Sequence, residues 1–116
     1  MRLKGKFRCV GASDTGRVRE HNEDTIGTDG DIGPVVLADG MGGHAGGALA
    51  SVTICGMFLQ HFSGSEGSGY QRLSPALLAA NAAIRAKVAA NPSLSGMGAT
   101  LVGVAIGATG LSWISV

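Results

Sequence analysis

Glu23, Asp24 and Asp39 are the residues whose types and spacing best suit chemistry. Glu23 and Asp24 close the most polar stretch of the chain, Arg17-Val18-Arg19-Glu20-His21-Asn22-Glu23-Asp24. Asp39 ends a short apolar run, Val35-Val36-Leu37-Ala38, and is followed at once by Gly40-Met41-Gly42-Gly43-His44-Ala45-Gly46-Gly47. Converging carboxylates repel one another unless a proton or a cation compensates them. Hard oxygen donors with no cysteine beside them suit Mg²⁺ or Mn²⁺ rather than Zn²⁺ or copper. Gly40 can add its backbone carbonyl, since no side chain shields it. Two cations sharing Asp39 would activate a water and neutralise charge on a phosphoryl group. Arg19 lies on the same approach and offers a planar fork for phosphate. The same residues also read as solvated turn carboxylates with Arg19 in a surface ion pair, and the chemistry alone leaves both readings open.

The elements that must position these residues follow from the pattern. Lys4 to Ser13 alternates between basic and less polar residues, the period of a half-buried strand with a solvated basic face. Ser13-Asp14-Thr15-Gly16 is a turn by composition. Thr25 to Thr28 and Ile32 to Ala38 read as two strands joined through Asp29-Gly30, a hairpin signal. Such a hairpin brings Glu23-Asp24 to Asp39 at one edge of a sheet, with Asp39 at a strand end. Ala48 to Phe62 has the apolar spacing of one helix face. Ser63 to Gly69 reads as a loop, and Ser74-Pro75 as the N-cap and first residue of a second helix that Asn91-Pro92 ends. Thr100 to Ile106 and Leu111 to Val116 read as a final hairpin. Three strands, two helices and two strands without repeated alternation predict an α+β fold, a mixed or antiparallel sheet with helices on one face.

Composition bounds the function. The 116 residues make at most one domain, and a net charge of +1 argues against nucleic acid as the main partner. The uncharged stretch from Gly96 to Val116 is long enough to span a bilayer, but Gly107-Ala108-Thr109-Gly110 interrupts it, so two strands fit better than a membrane helix. No apolar run follows the basic N-terminus, so no signal peptide is read there. Cys9 and Cys55 are far apart and outside any metal spacing, as expected of buried, reduced thiols in a cytoplasmic protein. His21, His44 and His61 share no metal spacing, and only His44, in the glycine turn, is placed to act as an acid or bind phosphate. Gly40-x-Gly42-x-x-Ala45 after a strand matches a loose dinucleotide fingerprint, but Asp39 would set a negative charge beside the pyrophosphate, and no ribose-binding acid follows.

Ser13-Asp14-Thr15-Gly16-Arg17-Val18-Arg19-Glu20-His21-Asn22-Glu23-Asp24, followed by Leu37-Ala38-Asp39-Gly40-Met41-Gly42-Gly43-His44-Ala45-Gly46-Gly47, resembles the metal-dependent protein phosphatase 2C (PPM-type) family in its bacterial form. Gly96-Met97-Gly98-Ala99-Thr100-Leu101 is similar to its third motif. The resemblance implies an antiparallel β-sandwich flanked by helices, in α-β-β-α layers. It implies a serine/threonine phosphatase with a binuclear Mn²⁺ or Mg²⁺ centre, using metal-activated water and no phosphoenzyme. Asp39 matches the carboxylate that bridges both metals, Gly40 the carbonyl ligand, and Glu23 a ligand reached directly or through water. Asp24 matches a supporting acid behind the ligands, and Arg19 the phosphate-binding arginine. Phosphoserine and phosphothreonine proteins are the implied substrates, with a bacterial Ser/Thr kinase as the opposing activity.

Met41 stands where many eukaryotic members carry a histidine proposed as general acid. The family domain is about twice as long, and its Gly-Asp-Ser motif and later aspartates have no counterpart here. Residues 1–116 are therefore expected to be the N-terminal part of one such domain, truncated within the fifth strand and inactive alone. A catalytically dead phosphatase-like regulatory or binding module is the alternative.

Overall fold

The computed structural model describes residues 8–29, 33–42, 46–107 and 110–116. Its elements are β1 (Asp24–Thr28), β2 (Pro34–Met41), α1 (Gly46–Gly64), α2 (Gly69–Ala90), β3 (Gly98–Gly107) and β4 (Gly110–Ser115). The strands form one antiparallel sheet in the order β1-β2-β3-β4. Both helices are inserted between β2 and β3 and pack on the same face of that sheet. The architecture is α+β with helices on one side, as the order of elements predicts.

Alternation in β2 decides which side the helices cover. Pro34, Val36, Ala38 and Gly40 are buried, whereas Leu37, Asp39 and Met41 are exposed. Val36 and Ala38 meet Leu101 and Ala105 of β3, Ala50, Ile54, Phe58 and Phe62 of α1, and Leu73, Ala76, Ala80 and Ile84 of α2. Phe58 and Phe62 are fully enclosed, and their rings stack 6.2 Å apart. Arg72 of α2 ties the helices together. Its guanidinium lies 4.3 Å from the centre of the Phe62 ring, and its Nη2 donates to the Phe62 carbonyl at 2.6 Å. The last turn of α1 thus gains a cationic cap. On the other helix edge Ser51 bonds the Thr25 hydroxyl at 2.8 Å, and the Cys55 thiol donates to the Thr25 carbonyl, fixing β1 to α1. Both cysteines are free, but only Cys55 is buried, and burial pushes its thiol up to about 11; Cys9 is half-exposed.

Three boundaries differ from expectation by more than two residues. Of the expected first strand, Lys4 to Phe7 lie outside the described residues, and residues 8–13 form no strand. Gly11 lies close to Ile26 of β1, but no ladder forms there. Helix α2 starts at Gly69 rather than Pro75, because Ser68 and Gln71 form a capping box. The Gln71 N–H donates to the Ser68 hydroxyl, and the Ser68 N–H to the Gln71 side chain. The extra turn buries Leu73 and seats Arg72, and Pro75 becomes an interior residue. Strand β2 runs through Asp39 to Met41 instead of ending at Ala38, because β3 pairs with it to the last residue, Met41 against Gly98. The Gly96–Val116 stretch is indeed a strand pair, and no described helix is long and apolar enough to cross a membrane.

Among the described residues the second face of the sheet carries no helix. Leu37, Met41, Val102, Leu111 and Trp113 stand on it, each 43–66% exposed. Of the α-β-β-α layers, these residues build one helical layer and one sheet. Phe58→Ala should cost about 3–5 kcal/mol, since it empties the enclosed core. Trp113→Ser should change stability by less than about 0.5 kcal/mol but reduce binding of a hydrophobic dye. Urea melts and dye fluorescence of the two variants check this, and equal destabilisation by both would contradict the two-faced sheet.

Candidate metal centre

The β1–β2 register sets Asp24 directly opposite Asp39. The Gly40 N–H donates to the Glu23 carbonyl at 3.0 Å, so Glu23 and Gly40 are the hydrogen-bonded pair. Asp24 and Asp39 are then the neighbouring non-hydrogen-bonded pair, whose Cα atoms approach to about 4.5 Å with side chains on the same face. Both are exposed on the face opposite the helices. The outward N–H of Asp24 is satisfied by the Asn22 side chain at 3.0 Å, and Asn22 in turn donates to Ser13 at 2.6 Å. The polar loop is pinned to the edge of β1 in this way.

Two carboxylates facing each other at this separation repel when both are charged. The Asp24 carboxyl is accordingly raised above the ordinary aspartate range. Its hydrogen bond to Asp39 is the main cause, followed by desolvation and the Asp39 charge. Arg19 acts in the opposite direction and Glu23 in the same one, so both charges are felt at the pair. Arg19 itself is exposed, on the loop before β1.

Glu23 reaches the centre differently. It is paired with Gly40, which is buried on the helix side, and its carboxylate lies against Gly47 in the first turn of α1. Partial positive charge at a helix N-terminus favours a carboxylate there. A side chain at Gly40 would run into the Gly47 backbone, and one at Gly47 into the Glu23 carboxylate. These two glycines are required by close approach, not by their dihedral angles.

The structure therefore brings Asp24, Asp39 and Gly40 together, sets Glu23 beside them from the helix side, and holds Arg19 within electrostatic reach. His21 and His61 are exposed on separate segments, and His44 lies outside the described residues. Among the described residues no three His, Cys, Asp or Glu side chains converge closely enough to hold an ion unaided. The donors that do meet are hard oxygens with a repulsion to relieve, which fits a cation of the Mg²⁺ or Mn²⁺ kind. Sequence reasoning missed Thr100, whose hydroxyl accepts the Asp39 N–H at 3.3 Å. Thr100 stands in the Gly96–Leu101 motif, but no local pattern places it beside Asp39.

No family model matches the chain. It is 40% identical over 100 residues to the serine/threonine protein phosphatase PstP of Mycobacterium tuberculosis, covering 84% of this chain and 19% of PstP. The chain thus spans about a fifth of the length of the curated relatives it matches. The crystal structure of the M. tuberculosis phosphatase PstP/Ppp superposes with a TM-score of 0.80 at 37% identity, over 90% of this chain and 44% of that one. The PstP catalytic domain in complex with 2 manganese ions gives 0.79 at 37% identity, over 90% and 45%. The PPM Ser-Thr phosphatase MsPP from Mycobacterium smegmatis, in complex with cacodylate, gives 0.76 at 28% identity, over 90% and 43%.

The carboxyl pair has a pH signature. A carboxyl whose folded value is raised binds its proton more tightly in the folded chain. The stability this contributes is present at low pH and fades as pH rises through the raised value. Without metal, the chain should lose stability from about pH 4 upward, and Asp24→Asn should flatten that loss. Thermal melts in chelator across the carboxylate range test it. An unchanged slope in Asp24→Asn would mean the two carboxyls do not share a proton.

Proposed function

We propose, from a chain whose sequence and fold are those of part of a bacterial PPM-type serine/threonine phosphatase domain, that its carboxylates bind Mn²⁺ or Mg²⁺ for hydrolysis of phosphoserine and phosphothreonine in proteins. The observation that carries this is the Asp24–Asp39 pair. It is two like charges held in register, and a divalent cation relieves their repulsion at neutral pH where a shared proton no longer does. Asp39 is the central ligand, placed to be shared by two cations, and Gly40 contributes its carbonyl. Asp24 supports Asp39 from β1, and Glu23 approaches from the helix N-terminus. Arg19 binds the substrate phosphate, its guanidinium on a loop that leaves it exposed to an incoming phosphoprotein. When bound, the metal pair supplies an activated water and screens the phosphoryl charge.

The residues themselves hold and orient. The β1–β2 register fixes the separation of the acids, the Gly40–Gly47 contact fixes the helix against them, and the Asn22 bonds fix the loop that carries Arg19. The enzyme would act on phosphoproteins in the cytoplasm and oppose a bacterial Ser/Thr kinase. The open apolar face of the sheet is where a second sheet would pack. Since only two carboxylates face each other in the described residues, this chain alone is expected to bind metal weakly and to turn over no phosphopeptide.

Manganese titration followed by paramagnetic broadening of amide resonances tests the metal reading even at weak affinity. Broadening should centre on Asp24, Asp39 and Gly40 and disappear in Asp39→Asn. Broadening that ignores Asp39→Asn would overturn the assignment. No broadening at all would favour the alternative, a phosphatase-like regulatory module without a metal.

A further inference from the structure

We propose that Thr100 is a positioning residue for Asp39, holding it from β3 as Asp24 faces it from β1. This rests on the metal reading above. Three cross-strand neighbours form a row: Asp24 on β1, Asp39 on β2 and Thr100 on β3. All three side chains are exposed on the face opposite the helices. Asp39 therefore has one polar neighbour on each side, and along its own strand it has the apolar Leu37 and Met41.

The two sides act differently. Asp24 offers a charge that repels Asp39 or a proton that binds it. Thr100 offers a neutral hydroxyl whose oxygen accepts the Asp39 N–H at 3.3 Å. A hydroxyl oxygen that accepts one bond still carries its own hydrogen to donate. With its oxygen at the Asp39 N–H, the hydroxyl can turn that hydrogen toward the face where the Asp39 carboxylate stands. Threonine is stiff about χ1, so its hydroxyl is committed there at little entropic cost.

The surroundings single this hydroxyl out. The β4 register reaches Ser115 opposite Val102, and the Val116 backbone bonds Leu101. Thr100 lies one residue beyond the Leu101–Val116 pairing and is exposed. Among the described residues its side chain belongs to no core cluster, and it contacts the backbone of the residue assigned to both cations. A strand residue serving only sheet stability at this position would do as well as valine.

Thr100→Val keeps shape and strand propensity and removes the hydroxyl, whereas Thr100→Ser keeps the hydroxyl. Partners that orient a metal ligand typically change affinity about 10–100-fold when removed. In the 116-residue chain, Thr100→Val should weaken Mn²⁺ binding about tenfold, read by paramagnetic broadening at the Asp39 and Gly40 amides. Thr100→Ser should stay within about twofold of the parent. In chelator, the Asp39 amide resonance should move in Thr100→Val and hold in Thr100→Ser, while the melting temperatures of all three agree. Parent-like Mn²⁺ binding by Thr100→Val, with Asp39→Asn still abolishing it, would overturn the role of Thr100 and leave the metal reading standing. Parent-like binding by Asp39→Asn would overturn the metal reading itself.

Discussion

The antiparallel register of β1 against β2 is the constraint on which the candidate centre depends. It pairs Asp24 with Asp39 rather than either neighbour. A slip of one residue would send every side chain of β1 to the opposite face. Two things prevent that slip. Thr25 bonds the Ser51 hydroxyl and accepts from the Cys55 thiol on the helix side, and Gly40 bonds the Glu23 carbonyl at the end of the ladder. The price of this register is electrostatic, because like charges directly opposite each other destabilise a strand pair.

The contact of Gly40, Gly47 and Glu23 links this register to the helices. Strand β2 and the first turn of α1 come together with backbone against backbone, which leaves space only for hydrogen at both Cα positions. The Glu23 carboxylate fills what remains and gains from the helix N-terminus. Acid placement, strand pairing and helix docking are therefore a single packing arrangement. Arg72, at the far end of α1, does the corresponding task for the two helices by capping the Phe62 carbonyl and covering its ring.

The two faces of the sheet divide the work. The helix face is closed by Phe58, Phe62 and the small residues Ala38, Ala50, Ala76 and Ala80, which let the layers approach. The other face carries Asp24, Asp39 and Thr100 beside Leu37, Met41, Val102 and Trp113. Polar chemistry and an uncovered apolar surface thus share one side. A layer packed on that surface would exclude water next to the acids and strengthen every charge interaction there.

Much of this was legible in the residues. The hairpin signal at Asp29-Gly30, the apolar run ending on Asp39 and the polar stretch ending on Asp24 together predicted that the two acids meet. Period and turn composition also predicted both helices, the last hairpin and the absence of strand–helix alternation. Those features are local, so the chain determines them by itself. The tertiary structure decided the rest. It extended β2 through Asp39, because pairing with β3 is a long-range interaction with no local signal. It started α2 at Gly69, because burying Leu73 and seating Arg72 on Phe62 reward a turn that Ser74-Pro75 argues against. It left residues 8–13 without a ladder, since alternation specifies extended backbone but not a partner. It set Thr100 beside Asp39 across 61 residues of sequence, a separation that only the folded sheet closes.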